Sequence, residues 1–101
     1  MARLVVAGSA RLDVRGILTK LSQVAGLPVA RRYGARFKAM YRYIARYPAA
    51  GAARPALGPH TRIRVVHPFV VLYDYVDDEA TILRVVDGRR QITRELLGRR
   101  E

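Results

Sequence analysis

Apolar and polar positions along the chain change period several times, and each change marks an element. Arg3–Ala7 is a short β-branched run and predicts a strand. Leu12, Val14, Ile17, Leu18, Leu21 and Val24 then recur at helical spacing, with Ser9 placed to cap the helix and Gly26-Leu27-Pro28 to break it. A second helix is predicted over Val29–Tyr47. Its apolar set is Val29, Tyr33, Phe37, Met40, Tyr41, Ile44 and Tyr47, and Arg31, Lys38, Arg42 and Arg46 fall on the opposite side. So short a break between two amphipathic helices predicts an antiparallel hairpin, ended by Pro48.

Ala49–Pro59 is rich in Ala, Gly and Pro without periodicity and predicts an ordered loop. Ile63, Val65 and Val66 alternate with Arg62 and Arg64, which gives a strand with one basic face. After a turn at His67-Pro68, Phe69–Val76 and Ala80–Asp87 are the strongest strand signals, joined across Asp77-Asp78-Glu79. Phe69 to Tyr73 is almost continuously apolar, the pattern of a central strand covered on both faces. Gly88 ends the last strand, Ile92–Leu97 has room for one or two helical turns, and residues 98–101 form a charged tail. The order β-α-α-β-β-β predicts an α+β fold: a single domain over 1–101, in which a helical hairpin packs on a small, mainly antiparallel sheet.

Charge narrows the function. The 101 residues carry a formal net charge of +11, and the 19 basic residues are almost all arginine. Such a balance calls for a polyanionic or acidic partner, and the planar guanidinium fork suits phosphate and carboxylate equally. Residues 1–73 hold one acid, Asp13, while Asp74, Asp77, Asp78 and Glu79 crowd one corner. A solvated hairpin turn explains those acids better than a metal site does.

Chemistry is sparse. Zero cysteines remove thiol nucleophiles, disulfides and Cys-type zinc sites. His60 and His67 are too few for a metal site made of histidine, so neither metal nor cofactor is expected. No apolar run reaches the roughly 20 residues that span a bilayer, and Leu4–Ala7 is too short for a secretory core, which points to the cytoplasm. General acid–base work needs two groups poised near neutral pH, and His60, His67, Tyr73 and Tyr75 read as turn and core residues instead. Arg62, Arg64, Arg84, Arg89 and Arg90 are the stronger candidates as a binding group. Arg84, set between Leu83 and Val85, needs a specific partner, with Asp13 and Asp87 the choices.

These elements resemble the ParE/RelE superfamily of toxins from type II toxin–antitoxin systems, ParE more closely than RelE. Ala10, Asp13, Val14 and Ile17 are similar to its A-x-x-D-L/I-x-x-I helix, and Ile44, Tyr47-Pro48 and Gly51 to its helix end. Arg54, Leu57 and Arg62 sit where family members commonly have them. Val71–Tyr75 resembles the family's central strand, and Ile82–Ile92 its I-L-R-V/I-L/V-H ending, with Asp87 in place of the histidine and Gln91 in place of an acid or Asn. The resemblance spans residues 3–97.

It implies a toxin, active when free, that an acidic ParD-like antitoxin neutralises in a hetero-oligomer by covering the hairpin beside Arg31, Lys38, Arg42 and Arg46. ParE-like members are described as blocking DNA gyrase, and RelE-like members as cutting mRNA on the ribosome. The missing histidine near Asp87 favours a gyrase or topoisomerase poison that binds through Arg62, Arg64, Arg84, Arg89 and Arg90, with no catalytic residue. The alternatives are a RelE-like endonuclease and a basic nucleic-acid-binding module.

Overall fold

A computed structural model describes residues 1–99. Its elements are β1 (Arg3–Val6), α1 (Gly8–Ala25), α2 (Leu27–Arg46), β2 (Ala52–Ala53), β3 (Thr61–Val66), β4 (Phe69–Val76), β5 (Glu79–Asp87) and a 3-10 turn, η1 (Glu95–Leu97). The sheet runs β1-β5-β4-β3-β2, with β1 parallel to β5 and the other neighbours antiparallel. The α+β architecture and the hairpin on a mainly antiparallel sheet are as predicted.

The differences are local. α1 begins at Gly8, so Ala7 occupies the cap position and the Ser9 hydroxyl instead donates to the Leu83 carbonyl at 2.8 Å. α2 starts at Leu27 because Pro28, which lacks an N–H, suits the first helical turn. The two-residue strand β2 lies inside the stretch expected to be loop. It pairs Ala52 with Ile63 and Ala53 with Arg62. Asp77 and Asp78 turn the β4–β5 hairpin with φ of 53° and 58°, the left-handed pair a tight hairpin needs and one that Asp tolerates.

β4 is the axis of the core. Val71 and Tyr73 face the helices and meet Phe37 and Ile44 of α2, Ala10 of α1, and Ile82 and Val85 of β5, all almost fully buried. Tyr33, Phe37 and Phe69 pack edge-on, with Phe69 5.7 Å from each of the other two rings. Burying one such side chain stabilises the fold by about 1.5–3 kcal/mol. On the other sheet face Val70, Leu72, Val86 and Leu57 are covered by Ile92, Leu96 and Leu97 of the C-terminal segment. β4 is therefore apolar on both sides, as its sequence requires. Arg99 fastens that segment: its Nη1 donates to the Leu57 carbonyl at 2.8 Å and the Thr61 hydroxyl at 2.6 Å, and its Nη2 pairs with Asp74. Arg99 belongs to the stretch expected as charged tail. Arg100 and Glu101 of that tail lie outside the described residues.

Two apolar positions of α1 do not reach the core. Leu12 is 65% exposed and Val24 70% exposed. Tyr47 is likewise half open to solvent and packs on Tyr43 at 5.1 Å between ring centroids.

Candidate functional site

β1 covers only the first half of β5, ending where Val6 pairs with Ile82. α1 then completes that edge with side chains. The Ser9 hydroxyl takes the Leu83 carbonyl, and Asp13 Oδ2 accepts the Val85 N–H at 2.9 Å. The same carboxylate grips Arg84 in two places, Nε to Oδ2 at 2.7 Å and Nη2 to Oδ1 at 2.9 Å, while Arg84 Nη1 donates to the Leu96 carbonyl at 2.9 Å. Of the two partners foreseen for Arg84, the structure selects Asp13. Its hydrogen bonds raise the Arg84 pKa further, so the charge is permanent. With 21% of its side chain exposed, Arg84 ties α1, β5 and the C-terminal segment together, and its donors point inward.

Arg89 and Arg90 differ. Gly88 turns the chain off β5, its N–H donating to the Pro68 carbonyl at 2.8 Å, and both arginines project into solvent. Asp87 holds Arg89 from below. The Arg89 N–H and Nε donate to Oδ1 at 2.9 and 3.1 Å, and Nη2 to Oδ2 at 2.8 Å. These hydrogen bonds from Arg89 lower the Asp87 pKa to about 2. The local i, i+2 pair preorganises Arg89 yet leaves 86% of its side chain exposed, with the remaining N–H groups turned outward.

Arg62 and Arg64 occupy the helix-facing side of β3. Arg62 Nη1 donates to the carbonyls of Ala49 and Gly51 at 3.0 and 2.8 Å, which pins the turn after α2. Arg64 lies over the Tyr43 ring at 4.7 Å. Its Nε is buried with no hydrogen-bond partner among the described residues. The five arginines expected as one contact group are thus dispersed: one pair beside α2, one residue locked to α1, and one pair beyond the sheet's end.

Arg31, Lys38, Arg42 and Arg46 run along the exposed side of α2 as expected. Arg31 and Lys38 rim a groove of about 530 Å³ between the two helices, floored by Leu18, Leu27, Ala30 and Gly34. Arg46 leans on Tyr47, its Nε 3.1 Å from the hydroxyl.

The acid–base candidates do not converge. Tyr73 is fully buried, donates to the Pro48 carbonyl at 2.7 Å and accepts the Gly51 N–H at 3.1 Å; burial raises its pKa. It fixes the Pro48–Gly51 turn and keeps its proton. Tyr75 is half-buried, and His60 and His67 are exposed on separate turns. Among the described residues no three His, Asp or Glu side chains group as metal ligands, and no helix is long and apolar enough to cross a membrane. The sequence signalled Tyr73 as core, but its hold on Gly51 and the Arg99 anchor depend on residues far apart in the chain.

Comparisons with known proteins agree with this architecture. Toxin ParE3 of Caulobacter vibrioides (strain ATCC 19089 / CIP 103742 / CB 15) is 27% identical over 84 residues, which cover 83% of this chain and 84% of that protein. A solved structure described as a chromosomal ParDE TA system from P. aeruginosa has the same fold, with a TM-score of 0.74 at 21% identity, over 86% of this chain and 96% of that one. The family model for the ParE toxin of the type II toxin–antitoxin system parDE matches residues 4–92, and the chain belongs to that family of toxins.

Proposed function

We propose that this toxin arrests growth by binding DNA gyrase or a related topoisomerase, without chemistry of its own, and that an acidic ParD-like antitoxin neutralises it. The observation that carries the reading is the contrast at the end of the sheet. Arg89 and Arg90 stand exposed past β5, Arg89 preorganised by Asp87, while the buried Tyr73 is committed to the turn after α2. An exposed pair of cations on a rigid strand end suits recognition of carboxylate or phosphate on a large partner. Arg84 has no part in that contact, since its hydrogen bonds hold the fold.

The antitoxin has a separate seat. The groove between α1 and α2 offers an apolar floor and the cations Arg31 and Lys38, which suits an acidic amphipathic helix. β3 supports an added strand. Thr61 turns its carbonyl toward the β2 side, where it accepts the Arg54 N–H at 2.9 Å, and by strand alternation Val65 presents its backbone to that same side. β2 pairs only with Arg62 and Ile63, so the edge at Val65 is open among the described residues.

Purified toxin assayed in parallel on gyrase supercoiling and on mRNA in a translating extract tests the target. Inhibited or trapped gyrase with intact mRNA is expected. Cleaved mRNA with unaffected gyrase would replace this reading with that of a ribonuclease.

A further inference from the structure

α1 runs past the end of the sheet. Ser9 sits level with Leu83 and Asp13 with Val85, so the helix advances along β5 by about 6 Å for every four residues. By that measure Ile17 is level with Asp87, the last residue of β5, and the two final turns of α1 overhang. Their inner stripe continues the core pattern of Val14 and Ile17 into Leu21 and Val24, but beneath it lie only Pro68 and the first residue of β4, Phe69. Leu21 is half-buried and Val24 is 70% exposed.

The overhang and the β5 exit enclose a groove of about 450 Å³. Ile17, Leu21 and Val24 form one wall, and Pro68 and Phe69 form the floor. Lys20 stands at one lip and Arg89 at the other, with Asp87 already paired to Arg89. This groove lies about a third of a turn around α1 from Leu18 and Ser22, which line the α1–α2 groove, so the two are separate surfaces.

We infer that the groove beneath the α1 overhang seats a segment of the toxin's protein target that places an apolar side chain between carboxylates. The apolar residue rests on Leu21, Val24 and Phe69, and the flanking carboxylates meet Lys20 and the outward N–H groups of Arg89. The inference rests on the reading of the chain as a toxin that acts by binding a protein. A nucleic-acid backbone would gain nothing from a floor of Leu, Val and Phe and would want more than two cations. Asp87 sets the charge at the lip: with its own carboxylate on Arg89, it leaves room for a hydrogen-bonding acid and not for a dense polyanion.

The test uses the full chain labelled with nitrogen-15 and titrated with a short, end-blocked peptide of alternating aspartate and leucine. Shifts are expected at Lys20, Leu21, Val24 and Phe69 and at the Arg89 side chain. Val24→Glu, at an exposed position that leaves the fold intact, should weaken binding roughly tenfold or more. Shifts confined to other surfaces, or equal binding by V24E, would overturn the inference. So would a short DNA duplex that binds the same residues regardless of V24E. Gyrase supercoiling separates this from the target assignment. Wild-type toxin that takes the peptide in the groove but spares gyrase removes gyrase alone. V24E that loses the peptide yet still inhibits gyrase removes the groove as the target's seat.

Discussion

Asp13 holds Arg84 by both carboxylate oxygens while one of them also accepts the N–H of Val85, so a helix side chain completes the strand edge that β1 leaves uncovered. Both side chains are largely buried, and each has little water to replace a lost partner. Replacing Asp13 by Ala strands a partly buried guanidinium and an edge N–H. We expect a loss of about 2–4 kcal/mol, read as a lower urea midpoint. Arg84→Met should cost less, because it keeps the packing and the Asp13 carboxylate it leaves behind still accepts the Val85 N–H. Adding Asp13→Leu to Arg84→Met should then cost less than the sum of the single changes, as coupled partners do.

The turn after α2 is equally specific. A Cβ on Gly51 would stand 2.8 Å from the Ile63 carbonyl and closer still to the Tyr73 hydroxyl, both fixed in the sheet. Gly51→Ala is therefore expected to destabilise by roughly 1–3 kcal/mol by overpacking. Tyr73→Phe keeps the ring but strips the partner from the Gly51 N–H and the Pro48 carbonyl, at a cost of about 1–2 kcal/mol. Thermal melts of the two variants check this. If Tyr73 were instead a catalytic group, Y73F would lose toxicity while its melt stayed unchanged.

Much of this was legible in the sequence, and the reasons divide cleanly. Phe69–Val76 announces a doubly covered strand because its apolarity hardly alternates, and the chain does cover it twice. That Arg84 would need an acidic partner could be foreseen, with Asp13 and Asp87 the choices, because a charge inside an apolar strand must be compensated. What escaped depends on where elements stop. Val24 continues the core face of α1, yet periodicity gives the face and not the length over which a sheet lies beneath it; Leu12, about 200° around the helix from Val14, is exposed because it lies opposite that face. β2 is two alanines whose pairing comes from the turn that Tyr73 and Arg62 fix, 22 and 11 residues from Gly51. The candidate arginines were named from residue type and strand position, but strand parity could not tell that Arg84 would wrap around the β5 edge to α1.

The Asp87–Arg89 pair predicts a titration. The folded carboxyl, near pH 2, lies below its ordinary value of 3.8 because Arg89 donates three hydrogen bonds to it. A depressed folded pKa favours the native state above about pH 3.8, and the benefit disappears as pH falls through 2. Carboxyl chemical shifts should place the Asp87 midpoint near 2 in the wild type, and Arg89→Ala should return it toward 3.8. The pair is exposed, so the global unfolding midpoint should scarcely move.

The two basic surfaces predict opposite phenotypes. Arg89 and Arg90 hold the β5 exit from outside the core, so Arg89→Ala/Arg90→Ala should fold normally and lose growth arrest by a factor of roughly ten to a hundred. Arg31→Glu/Lys38→Glu lies across α1 from that surface and should arrest growth as the wild type does. It should escape antitoxin co-expression instead, because reversed charges repel an acidic helix in the α1–α2 groove. Plating both double mutants with and without the antitoxin gives four outcomes. If the Arg89/Arg90 variant is folded and fully toxic, the strand-end contact is wrong. If the Arg31/Lys38 variant is neutralised normally, the antitoxin relies on other ground, and the open β3 edge at Val65 becomes the place to break next.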